Sequence, residues 1–328
     1  MEILIPGSLV PTSVAPDLAL ELKRHCPYLL ELLERRPAQV LSLAPERTGC
    51  TPREALLLRR LGYPHAMSSD DSAETSETSS DGLNLGAGLA PLAAGIQAGN
   101  EPVWVAQLCS ITIGREGARM LAPHSLNITP HEADALFEAA SSLWEGSEVS
   151  ALSLNANFWR IWPGNNAQAP SMSPEAVAQM ALSDWWPQDP SFKAWRRLLN
   201  EIQMLWHTHP VNALRAVRGL PPINSLWLYG GACGWRPNAA PSPVQTINLL
   251  ADACLEGDWA QWIAQLPAVS SELELALKQH VTKTSEQPII TLTGQRHAVR
   301  LNPFIPRWWQ LLLSPRKQNW TDWWTLPN

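Results

Sequence analysis

The run Trp206–Gly234, reading WHTHPVNALRAVRGLPPINSLWLYGGACG, leaves this chain few ways to fold. Leu198, Leu199, Ile202, Leu205 and Trp206 recur at helical spacing, so an amphipathic helix leads into it. Gly219 suits the position just past a helix end, and Pro221-Pro222 cannot continue a helix. Ser225–Tyr229 (SLWLY) then reads as a short buried strand. Gly230-Gly231 ends it where the backbone turns sharply or approaches a ligand.

The rest of the chain alternates in the same way. Met1–Ile5 and Gln39–Leu43 are strands, separated by a helix over Asp17–Glu34 that Pro27 breaks. Thr51-Pro52-Arg53-Glu54 opens a helix to Leu61: Thr caps, Pro fits the first helical position and Glu closes a capping box. The same signature stands at Thr129-Pro130-His131-Glu132 and Ser242-Pro243-Val244-Gln245, and part of it at Ser173-Pro174-Glu175. Strands are expected at Val103–Ile113, Val149–Leu154 and Asn157–Trp162. Helices are expected at Glu132–Trp144, Glu175–Leu182, Phe192–Trp206, Val244–Glu256, Trp259–Gln265 and Glu272–His280. Ile289–Thr293 and His297–Leu301 read as closing strands, and Phe304–Leu313 as a short helix. Ser68–Asp81 (SSDDSAETSETSSD) has no large apolar residue to repay its ordering entropy and reads as a flexible acidic loop.

Charge and cysteine usage exclude several function classes. A net charge of −6 with scattered arginine pairs supplies no basic face, so nucleic acid is not an expected partner. The five cysteines are isolated and odd in number, which suits a reducing compartment. No apolar run approaches the ~20 residues of a membrane span, so no membrane partner is expected. The first residues, MEILIPGSLVPTS, lack a basic n-region. The expected location is the cytoplasm.

The organising run resembles a segment of archaeal-type cofactor-independent phosphoglycerate mutases, HPVN-x-x-R-x-x-GLPPAN-x-LWLRGAG. It stands here as His209-Pro210-Val211-Asn212, Arg215 or Arg218, Gly219-Leu220-Pro221-Pro222-Ile223-Asn224 and Leu226–Gly231. Gly88–Arg119 and Leu56–Pro64 are similar to two further segments of that family. The pattern also resembles bacterial phosphoglycerate-mutase-like regulatory proteins of the RpfE type. The resemblance implies the α/β fold of the alkaline-phosphatase superfamily, a sheet flanked by helices with a small inserted α+β domain. On this chain the core becomes 1–95 with 205–328, and the insertion 96–204.

The resemblance also implies chemistry: two divalent metals, Asp and His ligands, and a transiently phosphorylated Ser. Two metals clamp the entering and leaving oxygens, and such ions want carboxylate and imidazole ligands at the carboxyl ends of strands. At the matching positions this chain reads Ile5-Pro6-Gly7-Ser8, Ala44-Pro45-Glu46, Tyr229-Gly230-Gly231 and Thr293-Gly294-Gln295-Arg296-His297. Only Glu46 is a carboxylate, so the expected metal ligands and cofactors are none. Thr51 stands two residues from the family's nucleophile position and is the one catalytic candidate; as an N-cap it is equally explained. The candidate ligand-binding residues are His209, Asn212, Arg215, Arg218 and Asn224. Arginine forks match phosphate, so these five either line an anion pocket for a phosphorylated small molecule or tie the helix, turn and strand together.

Seventeen tryptophans stand against three tyrosines and four phenylalanines. The C-terminal group Trp308, Trp309, Trp320, Trp323 and Trp324 is either a docking surface for a protein partner or core built with Trp in place of Phe. The function expected is a non-catalytic regulatory or scaffold protein that binds a partner or a phosphorylated metabolite. The alternative is an active metal-dependent phosphomutase or phosphohydrolase with relocated ligands.

Overall fold

The computed structural model describes residues 1–66, 84–114, 117–145, 147–164, 172–186, 190–283, 287–303 and 318–324. The first elements are β1 (Glu2–Pro6), α1 (Ala15–His25), α2 (Pro27–Arg35), β2 (Ala38–Ser42), α3 (Pro45–Thr48), α4 (Pro52–Arg60) and α5 (Leu89–Ala93). There follow β3 (Val103–Cys109), β4 (Ile111–Gly114), β5 (Gly117–Met120), α6 (Pro130–Trp144), β6 (Ser150–Ser153), β7 (Phe158–Trp162) and α7 (Pro174–Val177). Then come α8 (Lys193–His207), α9 (Pro210–Val217), β8 (Ser225–Ala232), β9 (Val244–Thr246), α10 (Ala251–Glu256), α11 (Trp259–Lys283), β10 (Ile289–Thr293), β11 (His297–Leu301) and α12 (Thr321–Trp324). The acidic loop expected at Ser68–Asp81, the helix expected at Phe304–Leu313, Trp308 and Trp309 lie outside the described residues.

The chain forms two compact units, one of 1–44 with 240–328 and one of 45–239. The first is a mixed α/β layer structure. Its sheet runs β2-β11-β10-β1-β9, with β1 parallel to both β9 and β10 and the remaining pairs antiparallel. Ile3, Ile5, Ile290 and Leu292 are fully buried, as parallel strands covered by helices must be. Leu18 and Leu22 of α1, Leu29 and Leu33 of α2, and Trp262, Leu266, Val269 and Leu273 of α11 share one core with them. The break expected between Gln265 and Glu272 does not occur: α11 runs through Pro267, because packing of both flanks into that core outweighs the lost backbone bond.

The second unit carries the antiparallel sheet β6-β7-β3-β8 and the separate hairpin β4-β5. Trp104, Ala106, Trp159 and Ile161 from that sheet pack with Leu136 and Ala140 of α6 and with Trp195, Leu199, Ile202 and Trp206 of α8. Trp159 meets Phe137, Trp144 and Trp206 edge-on, with ring centroids 4.9, 6.0 and 5.6 Å away. Edge-to-face contacts let large rings fill a core at good quadrupole geometry. Here tryptophan does the packing that phenylalanine does elsewhere.

β8 pairs along seven positions of β3, which takes Ser225–Ala232 into the second unit's sheet. One sequence expectation is corrected by these pairings. The helix expected from Val244 is a strand over Val244–Thr246, with α10 beginning only at Ala251. β1 recruits it, with Glu2 N donating to Pro243 O at 3.1 Å and Ile247 N to Leu4 O at 2.9 Å. A Ser-Pro-x-Gln signature is local, and a strand that completes a buried sheet overrides it.

Candidate functional site

The family-like run folds as read and then uses its polar side chains on itself. α8 ends at His207 and α9 starts at Pro210, with His209 as N-cap accepting from Val211 N through Nδ1 at 3.2 Å. α9 ends before Gly219, whose φ of +69° is the left-handed conformation expected there. Asn212 Nδ2 donates to Trp206 O and to Ile223 O, and its Oδ1 accepts from Ile223 N, all at 2.8 Å. One amide thereby staples the end of α8 to the loop entering β8. Asn224, just before β8, does the same to the first residue of β4: Oδ1 accepts from Ile111 N and Nδ2 donates to Ile111 O, each at 2.8 Å.

Arg215 is fully buried. Its Nε donates to Pro221 O at 2.8 Å, Nη2 to Leu126 O at 2.5 Å and Nη1 to Glu132 Oε2 at 3.0 Å. Arg218 is about half exposed and reaches the other Glu132 oxygen at 3.1 Å. Glu132 also closes the capping box of α6, accepting from Thr129 N at 2.9 Å. Burial pushes its carboxyl upward, but the Thr129 backbone donor and the Arg215 guanidinium more than offset that and hold it below the ordinary range. The bonds shown by these five residues tie the helix, turn and strand together. The sequence marked Glu132 only as a helix cap; its partner Arg215 lies 83 residues away, and no local pattern announces the pair.

With Asn212 and Arg215 facing inward, α9 has its polarity reversed. Ala213, Leu214, Ala216 and Val217 face outward, Val217 being 86% exposed, and Met204 near the end of α8 is 77% exposed.

Thr51 caps α4 in a full capping box. Its Oγ1 donates to Glu54 Oε2 at 2.8 Å, and Thr51 N and Ser173 Oγ donate to the same oxygen at 2.8 and 2.6 Å. Three donors converge on a carboxylate whose proton affinity is nonetheless raised. Burial is the main cause and nearby Glu175 adds to it, against the Ser173 and Thr51 bonds. Ser173 was read from sequence only as a partial cap, which it also is, accepting from Ala176 N.

Because the folded state binds the Glu54 proton more tightly than the unfolded chain does, protonation favours folding. The contribution is present at low pH and is lost as pH rises from the ordinary carboxylate range through the raised Glu54 value. Denaturant unfolding at a series of pH values therefore shows the stability of the wild type relative to Glu54→Gln falling across that window and then levelling off. A difference that grows with pH contradicts the burial account.

At the carboxyl end of β1, where a metal site of the resembling family stands, the described residues are Gly7, Ser8, Thr293, Gly294 and His297. Indoles fill the space: Trp262 Nε1 donates to Gly7 O at 2.8 Å and Trp324 Nε1 to Ser8 O at 2.9 Å. A Cβ on Gly7 would lie 2.4 Å from Leu250 O. Among the described residues, no three His, Cys, Asp or Glu side chains stand close enough together to hold a metal ion. Of the five residues named at this strand end, His297 alone is a His, Cys, Asp or Glu. Of the C-terminal tryptophans, Trp320 and Trp324 are buried in the first unit's core and Trp323 is partly buried. Among the described residues no helix is long and apolar enough to cross a membrane.

No family profile matches the chain, and no curated protein matches it. Among solved structures it is similar to a cofactor-independent phosphoglycerate mutase from Thermoplasma acidophilum, at 14% identity and TM-score 0.30, over 92% of this chain and 88% of that one. It is also similar to the PH0037 protein from Pyrococcus horikoshii, at 13% identity and TM-score 0.37, over 91% and 86% of the two chains.

Proposed function

We propose that this is a non-catalytic protein with a phosphoglycerate-mutase-like sequence motif, acting as a regulatory or scaffold protein that binds a protein partner. The observation that carries the reading is the Trp262 and Trp324 indoles at the carboxyl end of β1, bonded to the Gly7 and Ser8 carbonyls. Metal-assisted phosphoryl transfer needs carboxylates and imidazoles at such a strand end, with room for the phosphate. Apolar rings have that place instead. The outward apolar face of α9 supports the binding half of the proposal, since exposed apolar clusters mark interaction sites more often than chance. The buried arginine supports it by subtraction: Arg215 spends its guanidinium on Glu132, Leu126 and Pro221, so a phosphorylated metabolite has less to grip.

A second reading has one observation in its favour. Thr51 Oγ1 lies 2.8 Å from a carboxylate that holds its proton more firmly than usual, the relation of a nucleophile to a base. One experiment separates the two. The protein is purified without chelators, its Mn, Zn and Mg content is measured, and it is incubated with 2- and 3-phosphoglycerate with each metal added. The expected result is no stoichiometric metal, no turnover and no phosphoryl mass gain on the Thr51 peptide. Stoichiometric metal with turnover, or a phosphorylated Thr51, overturns the proposal.

A further inference from the structure

His297 opens β11 and is 8% exposed, yet its Nε2 has no hydrogen-bond partner among the described residues. The ring bonds the backbone of Trp323, and this bond favours the protonated ring, so Nδ1–H donates to the Trp323 carbonyl. That fixes the tautomer: Nε2 is the bare nitrogen and must receive any added proton. The strands flanking β11 offer that proton no acceptor of opposite charge, since β2 (AQVLS) and β10 (IITLT) have no titratable residue. On β11 itself the only other charge is the cation Arg300. α12 carries Asp322, which is exposed and already accepts from Asn319 Nδ2 at 2.6 Å. Trp323 Nε1, a donor that cannot help an added N–H, is likewise buried without a partner.

The segment that His297 holds is a strap over the first unit. Gln318 N donates to Glu34 O at 2.9 Å, Trp324 N to Trp320 O at 3.0 Å and Trp324 Nε1 to Ser8 O. Trp320 and Trp324 stack edge-on at 5.1 Å and are 4% and 1% exposed. We infer that residues 318–324 form an acid-released strap: protonation of His297 at Nε2 undocks it from the sheet and uncovers Trp320, Trp324 and the end of β1. A charged Nε2–H enclosed without an acceptor costs several kcal/mol if the strap stays down, and little if it lifts and admits water. Burial holds the ring's proton affinity below that of an ordinary histidine, more than its bond to Trp323 offsets. Docking is therefore complete above the ordinary histidine range and is lost as pH falls below it. The device is independent of the functional reading above.

The test is hydrogen–deuterium exchange of the full-length protein from pH 7.5 to pH 5, corrected for the intrinsic pH dependence of exchange. It is read together with the NMR titration of the eight histidines. Between the ordinary histidine range and the lower His297 midpoint, protection of 318–324 falls about tenfold per pH unit, as one linked proton requires, while β10 peptides stay protected. The strap midpoint coincides with the His297 titration, and in His297→Gln, which cannot take the charge, protection of 318–324 no longer depends on pH. PH-independent protection in the wild type overturns the inference, as does a strap midpoint away from that of His297, or loss of β10 protection in the same step. The wild-type comparison decides the matter even where the variant folds poorly.

Discussion

Replacing Arg215 with Met lowers the unfolding free energy by about 3–5 kcal/mol, the cost of leaving a buried charge without its partner. The guanidinium is fully buried and holds three acceptors: the Pro221 and Leu126 carbonyls and the Glu132 carboxylate. Methionine fills much of the volume but donates to none of them: both carbonyls lose a buried donor, and Glu132 keeps only the Thr129 amide and the half-exposed Arg218. Denaturant unfolding gives the number. Arg218→Ala, at the half-exposed arginine on the same carboxylate, costs no more than about 1 kcal/mol. The double variant Arg215→Met, Glu132→Gln recovers part of the loss, because the stranded charge is gone. An Arg215→Met protein within about 1 kcal/mol of wild type means that the clamp is not what organises this unit. The same set distinguishes structure from binding, since a ligand-contacting arginine loses affinity on substitution without losing stability.

Gly230→Ala is the second large effect, on the order of 4 kcal/mol, and it corrects a reading of the sequence. The glycine pair at the end of β8 was open to a close approach by a ligand; the approach is made by the neighbouring strand. A Cβ on Gly230 would stand 2.3 Å from Val103 O and 2.6 Å from Ala90 Cβ, at a φ of +125°. The register of β3 and β8 shifts at this point, between Val103 and Trp104. Backbone strain at such a φ costs about 1–3 kcal/mol, and forcing atoms into a packed strand pair a further 1–3 kcal/mol. Gly99→Ala separates the two terms, because Gly99 has a φ of +121° and open space around its Cβ position. The excess loss in Gly230→Ala over Gly99→Ala is then the clash. Equal losses in the two variants remove the close-approach account.

Local features were legible because their partners are neighbours in the chain. The boxes Thr51–Glu54 and Thr129–Glu132 close between residues three apart, and both bonds of each are present. Gly219 takes its positive φ from the helix it ends. Pro27 divides the first helical segment as its missing amide requires. The sequence reading also differed at Ser242-Pro243, where β1 claims the segment as a strand, and between Gln265 and Glu272, where the core holds both halves of one helix. Trp320 and Trp324 could not be told from a docking surface, since indoles serve core and interface alike and only their neighbours decide.

The sequence by itself determined the capping boxes of α4 and α6, which residues bear the family-like motif, and that Glu46 is the one carboxylate at the matching strand ends, for all of these depend on residue type and short spacing. Tertiary structure alone decided that Arg215 faces Glu132 across 83 residues, that β8 joins β3, and that two indoles occupy the end of β1. The reason is physical. A buried charge or carbonyl accepts any partner the fold delivers, and which one arrives is set by strand pairing and packing between segments far apart in the chain.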